Sequence, residues 1–361
     1  MKEKMESLLK MFGDTVLTSS KVFIVGHDDS DYDSIGSAIG LSELCHNFGI
    51  ESYIIVNDND MELESGVKQI IDKEKEKYNI INLNKFLELK DNASALIVTD
   101  TSVSTRVSVR DYLDSFKNIL IIDHHDESSR TIDTLNKYID TNTSSASEIV
   151  TNLLEHANVK YSPETASYLL SGIRLDTKGF YMNMSEYTHK TMQKLEDKGA
   201  NSDYVNELFL SEFDEYQEIS LLISNNGNTE FESYEDLNNE NNNQYNVSYT
   251  LNRIDPMQNY KKIVFAKAAD EMMMKIRYTD ASFAIGHTNP NTIWISGRSK
   301  GKVDVGEVLR QMDGGGNIRS AGCKIEDPED ILEIEKELMQ KVEWGLPKEE
   351  AKKLIKKPRK V

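Results

Sequence analysis

Short apolar runs alternate with stretches of helical periodicity through the first part of the chain. The runs "KVFIV" (21–25), "SALIVT" (94–99) and "NILIID" (118–123) have the length and β-branched content of buried parallel strands. "SIGSAIGLSELCHNFG" (34–49) after the first of them repeats its apolar positions as a helix does. This alternation predicts an α/β fold with a parallel sheet. Helical patterns continue in "SASEIVTNLLEHA", "SPETASYLLSGIRLDT" and "SEYTHKTMQKLEDKGA", the last with a glycine after its basic final turn. The pattern closes a first domain at residues 1–210. A helical linker over 211–226, "SEFDEYQEISLLISNN", leads to a smaller α/β domain over 227–345.

In that second domain "KKIVFAKA", "ASFAIGHTN" and "TIWISGRS" read as strands of a mixed sheet. "DVGEVLRQM" (304–312) reads as a helix, with Asp304 and Glu307 at capping-box spacing and Val305, Val308, Leu309 and Met312 on one face. The Asn-rich "YEDLNNENNNQYN" cannot build a core and is expected as a surface loop. Residues 346–361 form a basic, solvated tail.

Composition narrows the partners. A formal charge of −19 over 361 residues leaves no broad cationic surface for duplex nucleic acid or anionic membrane. The two cysteines, Cys45 and Cys323, exclude a disulfide scaffold and a thiolate metal cluster, and suit a reducing compartment. With no apolar run long enough to span a bilayer and an amphipathic start without a cleavage site, a cytoplasmic location is expected.

The charge is not spread evenly. "GHDDSDYDSIG" (26–36) crowds four aspartates and a histidine after the first strand, where like charges repel unless a cation lies among them. The second strand ends at Asp100 and the third in Asp123, His124 and His125, while Asp176 closes a helical stretch. Strand ends of an open α/β sheet converge on one crevice. Carboxylate and imidazole donors without sulfur suit a first-row divalent ion, Mn²⁺ above Zn²⁺ or Co²⁺. Asp31, Asp33, Asp100 and Asp176 supply four negative charges, which two divalent cations would balance. Such a pair can share a bridging water, lower its pKa and clamp both oxygens of a phosphoryl displacement.

The motifs "GHDDSDYDSIG", "DTS" (100–102), "DHH" (123–125) and "GIRLDT" (172–177), followed by "GGGNIRSAG" (314–322), resemble in order and spacing those of the DHH/DHHA1 phosphoesterases. The resemblance runs from about residue 10 to residue 330. It implies a DHH catalytic domain and a DHHA1 substrate-binding domain, with two divalent ions as cofactors. It implies that His27, Asp31 and Asp100 hold one metal and Asp33, Asp100, His124 and Asp176 the other, Asp100 bridging. His125 would face the substrate phosphate and Asp123 would orient an imidazole. Arg106, Arg298, Ser299, Gly314, Gly315, Gly316 and Asn317 would contact substrate.

Two positions depart from the pattern: Asn317 stands where the family has histidine, and Ser30 replaces a proline before Asp31. Asparagine can hydrogen-bond a phosphate but brings no charge to it. Within the family, "VFAKAADEMMMKIRYTDASFAIGHTNPNTIWISGRSKGKVDVGEVLRQM" and "GIRLDTKGF" most resemble the catalytic end of GdpP-type cyclic-di-AMP phosphodiesterases, whose upstream membrane, PAS and cyclase-like parts this chain is expected to lack. The expected substrate is a small adenine nucleotide, cyclic di-AMP opened to pApA. A nanoRNase or pAp phosphatase and a non-catalytic nucleotide-binding module are the alternatives, and a homodimer is a candidate assembly. His46, His156, His189 and His287 lie outside the motifs and are assigned ordinary roles.

Overall fold

The computed structural model describes residues 2–57, 63–224, 230–236, 244–251, 259–328, 330–346 and 354–358. The chain divides into two compact units, Met1–Leu210 and Ser211–Val361.

In the first unit α1 (Lys2–Val16) leads into β1 (Val22–Val25). Helices and strands then alternate: α2 (Tyr32–Asn47), β2 (Ser52–Ile55), α3 (Ser65–Glu74), β3 (Ile80–Ile81), α4 (Leu83–Leu89) and β4 (Ala95–Thr99). Two 3₁₀ turns precede β5 (Ile119–Asp123) and β6 (Asn136–Ile139), and four helices close the unit: α5 (Ala146–His156), α6 (Pro163–Asp176), α7 (Glu186–Asp197) and α8 (Ser202–Leu208).

Among the described residues the strands form one parallel sheet in the order β3-β2-β1-β4-β5-β6. The order reverses between β1 and β4, which is where an open α/β sheet opens its binding crevice. Side-chain alternation explains why the strands are apolar throughout. Val22, Ile24, Ile97, Leu120 and Ile122 face the core shared with α1, α2, α5 and α6, while Phe23, Val25, Leu96, Val98 and Ile121 pack against Phe86, Val107, Val109 and Phe116 on the other face. Helix α2 lies so close to α6 that a Cβ on Gly36 would meet the Tyr168 carbonyl oxygen at 2.5 Å.

In the second unit α9 (Phe213–Ser224) is followed by β7 (Glu230–Asp236), β8 (Gln244–Leu251), α10 (Lys262–Lys275), β9 (Ala281–Asn289) and β10 (Thr292–Ser299). Then come α11 (Val305–Arg310), β11 (Gly315–Gly316), β12 (Ser320–Glu326), α12 (Ile331–Lys341) and β13 (Leu354–Pro358). The sheet order is β11-β12-β10-β9-β8-β7-β13. Only the β8–β9 pair is parallel among the described strand pairs, so the sheet is mixed.

Three expectations are corrected here. "KKIVFAKA" is not a strand but the start of α10, whose Val264, Phe265, Ala268, Ala269 and Met272 pack as one helical face with Ile219 and Leu222 of α9. Its first four apolar residues mimic a strand, but the parallel pairing of β8 with β9 demands a crossover, and α10 supplies it. Two of the three glycines, Gly315 and Gly316, form β11 and pair with Gly322 and Ala321 of β12. Within the basic tail, residues 354–358 pair antiparallel with β7. The Asn-rich stretch is not a loop throughout: 234–236 belong to β7 and 244–246 to β8, while 237–243 lie outside the described residues. No helix among the described residues is long and apolar enough to cross a membrane.

Candidate metal centre

The acidic and imidazole groups of the motifs are placed at or beside the ends of regular elements. His27 follows β1, and Asp31 is the N-cap of α2. The Asp31 carboxylate is divided: Oδ1 accepts the backbone N–H of Asp33 and Ser34, both at 3.0 Å, and Oδ2 lies 3.3 Å from His27 Nε2. Asp33, in the first turn of α2, accepts N–H groups from the start of α5, Ala146 at 2.7 Å and Ser147 at 2.8 Å. Helix N-termini favour such an anion. Asp100 directly follows β4 with φ 60°, a left-handed conformation that aspartate tolerates better than most residues. Asp123 ends β5, and Asp176 is the last residue of α6.

These groups converge on His27 and His124. Asp100 Oδ2 is 3.3 Å from His27 Nε2, and its other oxygen, Oδ1, is 3.4 Å from His124 Nε2. Asp176 Oδ2 and Asp33 Oδ2 lie 3.5 and 3.8 Å from the same His124 nitrogen. Two donor groups result, His27–Asp31–Asp100 and Asp33–Asp100–His124–Asp176, with the ligand atoms of each within 4.8 Å of one another. Asp100 belongs to both and turns one oxygen toward each. A third grouping, Asp100–His124–His125, overlaps them.

The electrostatics mark a site built for positive charge. Burial lowers the pKa of His27, but Asp31 and Asp100 override it and raise the imidazole to about 10. For His124 burial again opposes the shift, and Asp100, Asp176 and Asp33 raise it to about 10. Burial, then Asp100 and Asp176, push Asp33 well above the usual carboxylate range, and burial raises Asp176 to about 6. Asp100 is also opposed by burial, yet the two imidazoles hold it below the ordinary range. Protons thus gather where cations would sit. Asp100 Oδ1, His124 Nε2 and Asp176 Oδ2 are buried without a hydrogen-bond partner, and buried polar atoms require one. An all-oxygen-and-nitrogen donor set with such orphan atoms fits divalent metal ions.

Asp123, fully buried, accepts the N–H groups of His124 and His125 and the ring Nδ1–H of His125 on one oxygen. Arg106 is exposed, and its carbonyl accepts the N–H of Asp28 at 2.7 Å. Two further residues shape the surroundings of the cluster. Arg110 pairs with Asp28, a contact that no spacing rule reveals. Gly172 was in view as the first letter of "GIRLDT": a Cβ there would meet Asp33 Oδ1 at 2.6 Å and Asp33 Cα at 2.9 Å, so only glycine lets α6 pass the Asp33 carboxylate.

The candidate substrate residues of the second unit form their own cluster. Arg298 is ion-paired with Asp270 at 3.1 Å. Ser299 is buried, its hydroxyl donating to the Asp280 carbonyl and accepting from Gly301 N–H. Gly314 packs where a Cβ would meet Gly322 O at 2.7 Å, Gly315 is open, and Gly316 has φ 143°. Asn317 is exposed and spends Oδ1 on the N–H groups of Arg319 and Ser320. Its side chain therefore closes the hairpin turn.

Known proteins place this arrangement. The model for the DHH family N-terminal domain matches residues 21–173, and that for the DHHA1 domain matches residues 242–343. The chain is 28% identical over 318 residues to the cyclic-di-AMP phosphodiesterase GdpP of Bacillus subtilis (strain 168), covering 86% of this chain and 46% of that protein. It thus spans a little under half of GdpP's length. It is 25% identical over 273 residues to the bifunctional oligoribonuclease and PAP phosphatase NrnA of Mycoplasma pneumoniae, covering 71% of this chain and 74% of that one. An exopolyphosphatase-related protein from Bacteroides fragilis shares the fold, with a TM-score of 0.70 at 19% identity over 95% of this chain and 97% of the other. With a DHH and a DHHA1 domain in sequence, and the motifs of the first gathered into one cluster of metal-ligand side chains, the chain belongs to the DHH/DHHA1 family.

Proposed function

We propose that the chain is a two-metal phosphodiesterase that hydrolyses a 3′–5′ phosphodiester of a small adenine nucleotide, with cyclic di-AMP opened to pApA as the leading substrate. The observation that carries this reading is Asp100, which turns Oδ2 to one donor group and Oδ1 to the other. The likeness to GdpP supports the choice of nucleotide.

One ion would be held by His27, Asp31 and Asp100 and the other by Asp33, Asp100, His124 and Asp176, with Mn²⁺ preferred. When bound, they would supply Lewis acidity to an in-line phosphoryl displacement and lower the pKa of the attacking water. The chain's own residues do the positioning. Asp123 takes the Nδ1–H of His125 and so leaves Nε2 of a one-third-exposed ring to meet the substrate phosphate. Asp31 and Asp33, pinned by the α2 and α5 N-termini, hold their carboxylates in place before any ligand arrives.

Arg106 is assigned to a phosphate. In the second unit, the assigned contacts are the guanidinium of Arg298, the backbone of Gly314–Gly316 and the Asn317 amide, with Ser299 shaping the turn beneath them. On this reading residues 1–210 are the catalytic part, 211–226 a helical connection, 227–345 the substrate-binding part and 346–361 a basic tail.

A second reading, a nanoRNase or pAp phosphatase, is favoured by the NrnA likeness, which spans 74% of that protein. The test is a comparison of kcat/KM for cyclic di-AMP, pApA, pAp and a short RNA with Mn²⁺-loaded protein. The leading reading expects cyclic di-AMP to rank first. A ranking led by pAp or short RNA, with the cyclic compound untouched, transfers the assignment to the second.

A further inference from the structure

The loop that leaves Asp176 is wound against its own conformational preference. Lys178, Gly179, Phe180 and Asn183 all have positive φ, at 52°, 72°, 68° and 55°. For a side chain as bulky as phenylalanine this is a strained region that persists only where the surroundings impose it. The surroundings here are Thr177. Its carbonyl accepts the N–H of both Tyr181 and Met182 at 2.8 Å, and its buried hydroxyl accepts the N–H of Phe180 and donates to the Ile173 carbonyl. Asn183 Nδ2 donates to the carbonyl of Asp176 itself. What this winding displays is apolar: Phe180 is 37% and Tyr181 65% exposed. Neither residue belongs to the hydrophobic core cluster that α6 shares with the sheet.

We propose that residues 177–184 are a nucleobase platform, on which Phe180 and Tyr181 stack a base of the nucleotide whose phosphate lies at the Asp33–Asp100–His124–Asp176 group. The proposal rests on the nucleotide reading above and deepens it. The occupant follows from the neighbourhood. The loop leaves directly from Asp176, a member of the donor group, so Phe180 and Tyr181 stand four and five residues along the chain from a group that would hold the phosphate. An aromatic face binds a planar base with little regard to its hydrogen-bonding edge, and a loop tied to Thr177 loses little entropy in doing so.

The test compares Kd for pApA with Kd for its abasic analogue, in the wild type and in Tyr181→Ala and Tyr181→Trp. The preference of the wild type for the base-bearing compound should fall by at least about fivefold in Tyr181→Ala, in keeping with the strength of base–aromatic stacking, and return in Tyr181→Trp. Should the preference be the same in all three, the platform is wrong while the phosphodiesterase reading stands. A readout free of turnover separates the two ideas: the ring protons of AMP should move upfield in NMR on binding the wild type and not on binding Tyr181→Ala. Loss of that shift supports the platform even in a protein that cleaves none of the compounds. A wild-type dimer that becomes monomeric in Tyr181→Ala would make these rings a subunit contact and overturn the proposal.

Discussion

Asp123 Oδ1 and His125 Nδ1 are joined by a 2.8 Å hydrogen bond across two residues of chain. Burial opposes the charge on Asp123, but its bond to His125 holds the carboxyl below the usual range, so the pair is a fixed acceptor and donor. Asp123→Asn keeps the volume and puts an amide against the same ring, which loses its enforced tautomer. Turnover should fall about 10- to 100-fold with metal content unchanged. A metal-loaded Asp123→Asn protein with wild-type kcat would show that His125 needs no such support.

Metal affinity should rise with pH. His27 and His124 are both raised to about 10 in the metal-free site, so below that pH each carries a proton that must leave before its nitrogen can ligate. Asp176, raised to about 6, adds a further proton in acid. Calorimetric Mn²⁺ titrations in buffers of different ionisation enthalpy should show more than one proton released per chain at neutral pH, and more near pH 5.5. Release that does not vary with pH would contradict the assignment of these groups as ligands.

Gly172→Ala tests how Asp33 is held. The added Cβ would meet Asp33 Oδ1 at 2.6 Å and Asp33 Cα at 2.9 Å, so either α6 or the carboxylate must move. Stability should fall by about 1–3 kcal/mol, as for an overpacked core site, and one Mn²⁺ should bind more weakly than in the wild type. Unaltered melting temperature and metal affinity would show that the helices yield freely.

Much of this was legible in the chain. The three central strands are apolar on both faces, so "KVFIV", "SALIVT" and "NILIID" stand out however the eye samples them, and the donors sit at their ends. Asp31 and Asp33 were legible as charge without a structural need, but the two backbone amides of α5 that hold Asp33 come from residues more than a hundred positions away. Helix α10 was misread because Ile263, Val264, Phe265 and Ala266 are apolar in succession, and only the topology of β8 and β9 separates a buried helix from a strand there. Asn317 was visible as an uncharged residue. Its use of Oδ1 to close a turn depends on backbone geometry that composition does not encode.

Asp100 should be the least replaceable acid. It faces His27 with one oxygen and His124 with the other, so Asp100→Ala removes a ligand from both groups at once. A loss in kcat of at least about a hundredfold, on the order of 2.7 kcal/mol in the barrier, is expected, with circular dichroism unchanged. Asp31→Ala, which strips a single group, should cost less. Equal losses in the two variants would deny Asp100 its shared position.

The most direct test is the dependence of turnover on bound metal. Protein stripped with chelator and verified metal-free should not open cyclic di-AMP. Stepwise addition of Mn²⁺ should restore activity only as the second equivalent per chain binds, because both donor groups must be filled. Full turnover by the stripped protein, or by protein holding a single equivalent, would contradict a two-metal phosphodiesterase built on Asp100.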